Sequence, residues 1–427
     1  MVRPWQFCNR TCSINLRTAA AGLTLAVTFT LIAVATQAQT YSVIHNFSGG
    51  QDGATPLAGL TVDGAGNFYG TAAYGGNLGG ACGTTGCGTV FRLANRNSGW
   101  VFSPLYSFAG GTDGANPQAN VNIGSDGTVY GSTYLGGGTC SGGGCGTIFN
   151  LKPPVSACLS ALCPWIETAI HSFTGPDGIG PVGTVIFDQA GDLFGATSSG
   201  GFRNGGTIFE LQPMGGSGWS LKILYISYGY PHAGLIHDSS GNLYGPAFTA
   251  GLGYGSVYQM VLSGSTWITT DIYDFTNGSD GAYPWGGLIL DQSGNLYGST
   301  CAGGSGNGGT VFRLSLSGGN WVLNTLYGFT GTGHGGFVVG PAASLVMDKA
   351  GALYGTTLAD GAHGYGSVFK LTPQGDNWTY TSLHDFTGSS DGGGPYSNVV
   401  MDAQGNLYGT ASVGGANGKG VVWEITP

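Results

Sequence analysis

Four side chains have the types that hold a ligand by stacking and hydrogen bonding, and all four directly follow a proline: Gln118, His232, Trp285 and Tyr396. Leu57, Val182 and Ala342 complete a set of seven such positions, and the next residue is always small (Ala58, Ala119, Gly183, Ala233, Gly286, Ala343, Ser397). Aromatic rings offer a face to an apolar ligand surface, while amide and imidazole nitrogens fix orientation. Five Asp-Gly pairs, at Asp52, Asp113, Asp177, Asp280 and Asp391, are candidates for contacts to a cation or a sugar; Asp-Gly is also ordinary turn chemistry. Polysaccharide hydrolysis or lysis would require two acids, or an acid and a histidine, within reach of one another. His232 with an Asp is the only such combination the chain suggests. A G-x-S-x-G match at Gly388–Gly392 falls in a loop rather than in a strand-to-helix elbow, so it carries no nucleophile assignment.

These residues must be positioned by repeats. A proline and a turn glycine lie ten positions apart seven times: Pro56/Gly66, Pro117/Gly127, Pro181/Gly191, Pro231/Gly241, Pro284/Gly294, Pro341/Gly351 and Pro395/Gly405. Each unit reads as four short strands, with alternation, β-branched and aromatic residues, and Gly/Asp/Asn punctuation. Strand one follows the proline ("GLIL", "NVVM"), and a D-x-x-G-N turn leads to strand two ("NLYGST"). A glycine-rich loop leads to strand three ("GTVFRL"), and strand four runs from a tryptophan to a phenylalanine, as from Trp267 to Phe275. The Asp of the turn (Asp63, Asp188, Asp238, Asp291, Asp348, Asp402, with Gly124 in the second unit) is read as a backbone acceptor, and the following aromatic as packing between units. His45, His171 and His384 stand at a strand-four position that is Tyr106, Tyr225, Tyr273 or Tyr327 elsewhere, which indicates packing with a polar tip.

Four-stranded units at this period predict an all-β fold, a seven-bladed β-propeller of antiparallel blades. The last unit lacks strand four, and "YSVIHNF" (41–47) is a strand four without a unit. The N-terminal strand is therefore expected to complete the blade formed by 396–427, removing two exposed edges.

Composition narrows the function classes. Residues 1–38 hold three of the 12 basic residues, none of the 21 acidic ones and a short apolar run ending near Ala38. This is the pattern of a secretory signal peptide, with a retained anchor as the rival reading. Without that segment the formal charge is −12, from nine basic and 21 acidic residues; such a chain has no footprint for nucleic acid. No later stretch is apolar enough to span a membrane. Residues 39–427 are thus expected to form one exported propeller domain, secreted or periplasmic, and monomeric. Three cysteine pairs are spaced as local disulfides: Cys82 with Cys87, Cys140 with Cys145, and Cys158 with Cys163. Cys301 is expected as a buried thiol at a strand end. No metal site and no cofactor is expected.

The stretch "LYGTT…GYGSVFKLTPQGDNWTYTSLHDFTGSSDGGGP" (353–395) resembles the GloVer-type tandem repeat of secreted bacterial proteins, over essentially all of the chain after residue 38. The resemblance implies repeat identity and export; it brings no catalytic motif.

In up-and-down blades the strand 2–3 and 4–1 loops share one face, which carries the longest and most uneven loops. Gly70–Gly88 spans 18 positions and Gly131–Gly146 spans 15, against 10 or 11 elsewhere, and Ser227–Pro231 spans four against twelve for Phe329–Pro341. Loops of this kind carry binding functions. The chain is expected to be a non-enzymatic recognition or scaffold propeller taking a glycan or a cell-surface protein on that face. A polysaccharide hydrolase or lyase, and a purely structural surface protein, are the alternatives.

Overall fold

The computed structural model describes residues 39–96, 99–138, 140, 143–154, 164–216, 218–331 and 340–426. The leader (1–38) lies outside the described residues. So do Cys158 and Cys163, and with them the third expected disulfide. Among the described residues there are 28 strands and no helix, in seven four-stranded antiparallel sheets. This is a seven-bladed β-propeller. Blade one is Thr61–Val62, Phe68–Ala72, Thr89–Arg96 and Gly99–Ser107. Blade seven is Val400–Met401, Leu407–Ala411 and Val421–Thr426, completed by Thr40–Asn46, whose register runs from Thr40↔Thr426 to Asn46↔Val421. The N-terminal strand thus closes the ring, as the missing strand four predicts.

The repeated aromatic-glycine pair has a packing cause. The strand-three ring of the same blade lies over each glycine, so that a Cβ there would meet it at 2.3–2.7 Å: Phe91 over Gly70, Phe149 over Gly131, Phe312 over Gly298, Trp423 over Gly409. The strand-four phenylalanine of the preceding blade packs edge-on against the same ring, with Phe47–Phe91, Phe108–Phe149 and Phe275–Phe312 at 5.2–5.4 Å between centroids. Burying one such ring contributes about 1.5–3 kcal/mol. The strand-two aromatic instead reaches the tryptophan of the next blade, as Tyr244 does Trp321 and Phe194 does Trp267. The core therefore lies between blades.

The D-x-x-G turn works as read, with one addition. Asp291 Oδ1 accepts from the N–H groups of Ser293 and Asn295, and Oδ2 accepts from Asn295 Nδ2 and from the Tyr297 hydroxyl. The tyrosine hydroxyl closes the motif in five blades, at Tyr69, Tyr244, Tyr297, Tyr354 and Tyr408. Where Gly124 replaces the Asp, Asp126 accepts from Thr128 instead.

Strand one is shorter than expected. In six blades only its last two residues join the ladder, for example Ile289–Leu290; blade three, with Ile179–Phe187, is the exception. The residues nearest the proline face the axis and bond to neighbouring blades instead. Thr71, Ser299, Thr356 and Thr410 of strand two donate to the carbonyls of Ala119, Ala343, Ser397 and Ala58 in the next blade's inner strand. That proximity explains the small residue two places after each proline.

Candidate functional site: the axial cavity

A cavity of about 930 Å³ follows the axis, and all seven residues that follow a proline line it. A hook sets their position. The residue before the proline holds φ between 51° and 61° at Thr55, Asn116, Gly180, Tyr230, Tyr283 and Gly394, a left-handed conformation costly for a β-branched or aromatic residue. Its N–H donates to the preceding blade's loop and its carbonyl accepts from strand two of its own blade. Tyr283 N–H donates to Tyr254 O at 2.7 Å, and Cys301 N–H donates to Tyr283 O at 3.1 Å. Proline then fixes the exit.

Side chains alternate along an extended strand, so the inner strands present the cavity with tiers. The mouth tier is Leu57, Gln118, Val182, His232, Trp285, Ala342 and Tyr396; the second is Gly59, Asn120, Thr184, Gly234, Gly287, Ser344 and Asn398. Leu60, Val121, Leu235 and Leu345, one residue beyond the second tier, are buried in the core between blades. Among the described residues, no Asp, Glu, Lys or Arg lines the cavity.

The mouth is lopsided. In blades four and five His232 lies 4.4 Å from Trp285 between centroids, tilted by 32°, and both rest on Phe248, at 4.8 and 5.2 Å. Burial pushes the His232 imidazole down to about 4. In blades two and seven, Asn120 Nδ2 donates to Asn398 Oδ1 at 2.6 Å, and Asn120 Oδ1 accepts from Gly59 N–H at 2.7 Å. Gln118 donates to Asn116, and Tyr396 is 38 % exposed at the rim. The structure thus brings Gln118, His232, Trp285 and Tyr396 to one cavity. Asn120 and Asn398 join them there. Their spacing from the proline, two residues beyond the mouth position, was the available signal.

The five Asp-Gly carboxylates do not converge; each organises its own 4–1 loop. Asp280 accepts from the Tyr273 hydroxyl, Thr276 N–H and Thr276 Oγ1. Asp113 accepts from Tyr106 and Ala109. Asp52, Asp177 and Asp391 pair with His45, His171 and His384 at 2.9–3.2 Å. In these five blades the His/Tyr exchange in strand four is therefore an exchange of polar tips on one acceptor. A bulge beside that residue in all seven blades, as between Val257 and Tyr258 opposite Tyr273, aims it. Among the described residues no group of three His, Cys, Asp or Glu is placed to hold a metal.

Two of the three expected disulfides fall among the described residues, and both are formed. Cys82–Cys87 and Cys140–Cys145 have Cα atoms 5.3 and 5.5 Å apart, and they staple the two longest loops. The third, expected between Cys158 and Cys163, differs from them in its place: Cys163 and Cys158 both lie outside the described residues, in the 155–163 stretch. Bridges between 4–1 and 2–3 loops, such as Ala54↔Tyr74 and Ala282↔Ala302, put both loop sets on one face. Cys301 is buried at the end of strand two, its thiol pushed up to about 12 by burial. Most of the long Phe329–Pro341 loop lies outside the described residues. On the opposite face, Tyr297, Arg313, Asn324, Asp376 and Trp378 line a second cleft of about 520 Å³ between blades five and six, which the repeat pattern alone did not indicate. Among the described residues no helix is long and apolar enough to cross a membrane.

No curated protein matches the chain. Among solved structures, similarity extends to a candidate 6-phosphogluconolactonase from Bacteroides uniformis, with 16% identity, TM-score 0.48, and coverage of 77% of this chain and 84% of that one. It extends also to a gluconolactonase from Xanthomonas campestris, with 15% identity, TM-score 0.40, and coverage of 70% and 82%. A Dyadobacter fermentans protein of unknown function shows 12% identity, TM-score 0.44, and coverage of 80% and 96%. Likenesses this remote carry no argument about activity. The profile of the Gloeobacter/Verrucomicrobia repeat matches residues 83–251 and 247–427, and the chain belongs to that family.

Proposed function

We propose that this chain is a recognition propeller of the cell exterior that binds a glycan or a surface protein at the loop-rich mouth of its axial cavity. The observation that carries the reading is the convergence of Gln118, His232, Trp285 and Tyr396 on one concave site of about 930 Å³. A concave, partly aromatic site with a few convergent polar groups is the usual form of a ligand pocket. Two disulfides favour an oxidising compartment, in keeping with the signal-like segment at 1–38. The stapled loops of blades one and two lie on the same face, beside the mouth.

The test is a glycan array probed with the full chain, exported so that its disulfides form, beside Trp285→Ala and Tyr396→Ala. The expected result is saturable binding that both substitutions weaken. Saturable binding that both leave intact would place recognition elsewhere on the molecule.

A further inference from the structure

The two arcs of the cavity wall differ in chemistry, and the difference selects a ligand class. Blades four and five present Trp285 and His232 over Gly234 and Gly287, so the second tier beneath the rings carries no side chains. Blades seven and two, on the other side of the ring, present Asn398, Asn120 and Gln118. Among the described residues, Asn398 Nδ2 has no hydrogen-bond acceptor and Gln118 Oε1 has no donor, whereas their other amide atoms are engaged. One wall offers aromatic faces above open space; the other offers a free donor and a free acceptor.

We propose that the axial cavity takes the end of an uncharged saccharide, one pyranose ring lying on the Trp285–His232 pair with its hydroxyls turned to Asn398 and Gln118. This deepens the recognition reading above and rests on it. A pyranose has an apolar C–H face and a polar edge, which is the pairing the two walls provide. A charged sugar would lose hydration in a cavity whose described lining holds no countercharge. An anionic one would also meet the field of a chain with 21 acidic residues. His232 is compatible with this role, because burial keeps its ring neutral at physiological pH.

The experiment compares matched neutral and uronate-bearing oligosaccharides on the full chain at low and high salt, with two variants. Trp285→Ala removes the stacking face. Gly287→Val fills the space in the tier below, where the first atom a new Cβ meets is the rotatable Ser344 hydroxyl at 2.6 Å; retained thermal unfolding shows that each variant is folded. The expected result is salt-independent binding of neutral oligosaccharides, weakened about tenfold or more by each variant, about 1.4 kcal/mol. Binding confined to the uronate series, salt-sensitive yet still lost in Trp285→Ala, would overturn the uncharged class and leave axial recognition standing. Binding of no saccharide would overturn this inference and leave a surface protein as the ligand of the mouth, whereas saccharide binding indifferent to both variants would overturn this inference and the axial reading together.

Discussion

Asn120 and Asn398 are 278 residues apart in the chain, and their amides meet at 2.6 Å. The bond joins blades two and seven across the inner strand of blade one, where Gly59 supplies the third member, its N–H donating to Asn120. A side chain at position 59 would collide with Asn398 Oδ1, 2.0 Å from its Cβ. The strap therefore holds the ring closed near the joined ends of the chain and lines the cavity at once.

Asn120→Ala is expected to lower stability by about 1–2 kcal/mol, because Asn398 and the Gly59 N–H each lose a partner. Urea unfolding of the two proteins measures it. Because Asn120 lies a tier below Trp285, ligand affinity is expected to fall as well.

The Asp291–Tyr297 turn predicts a graded pair. Tyr297→Phe removes one of four bonds to the carboxylate and is expected to cost about 1 kcal/mol; Asp291→Ala removes all four and is expected to cost about 2–3 kcal/mol. Blade three carries Phe194 at the tyrosine position, so the smaller change has a natural precedent in the same molecule. Thermal denaturation of both variants gives the order.

Closure by the N-terminal strand predicts a strong effect from a residue far from any loop. Ser42 pairs with Glu424 in the ladder of blade seven, at a position whose N–H faces the partner strand. Ser42→Pro is expected to cost about 3 kcal/mol or more through steric and hydrogen-bond loss. It should also expose Val421–Thr426 as an open edge, so that size-exclusion chromatography shows association on mild heating.

Glu167, in strand four of blade two, has its carboxyl pushed up to about 7 by burial and by the neighbouring charge of Asp113. Its folded pKa is raised, so the native state binds more protons than the unfolded one between the ordinary glutamate range and about 7. Stability from this group is present at low pH and is lost as pH rises through that window. Glu167→Gln is expected to flatten the decline and to stabilise the chain at neutral pH, as unfolding midpoints across pH will show.

Much of this architecture was legible because it repeats. Seven proline-to-glycine spacings located the blades, an unmatched strand at each end located the closure, and the scatter at Gln118, His232, Trp285 and Tyr396 against uniformly small neighbours marked the cavity wall. What stayed hidden depends on side-chain direction. The pairing of His45 with Asp52, or Tyr273 with Asp280, needs a bulge that spacing does not reveal. The left-handed hooks at Thr55, Tyr230 and Tyr283 run against local preference before proline and exist because two inter-element hydrogen bonds outweigh it. The second tier went unseen in part because three of its seven members are glycines, and the space a glycine leaves has no sequence signature beyond the glycine itself.

The most direct test of the central claim is a crystal structure of the full chain with the tightest-binding neutral oligosaccharide. The account predicts a sugar ring in the axial cavity, against Trp285 and within hydrogen-bond reach of Asn398. A sugar bound instead in the cleft of Arg313 and Trp378, or along an outer strand, with the axial cavity holding only solvent, would contradict it.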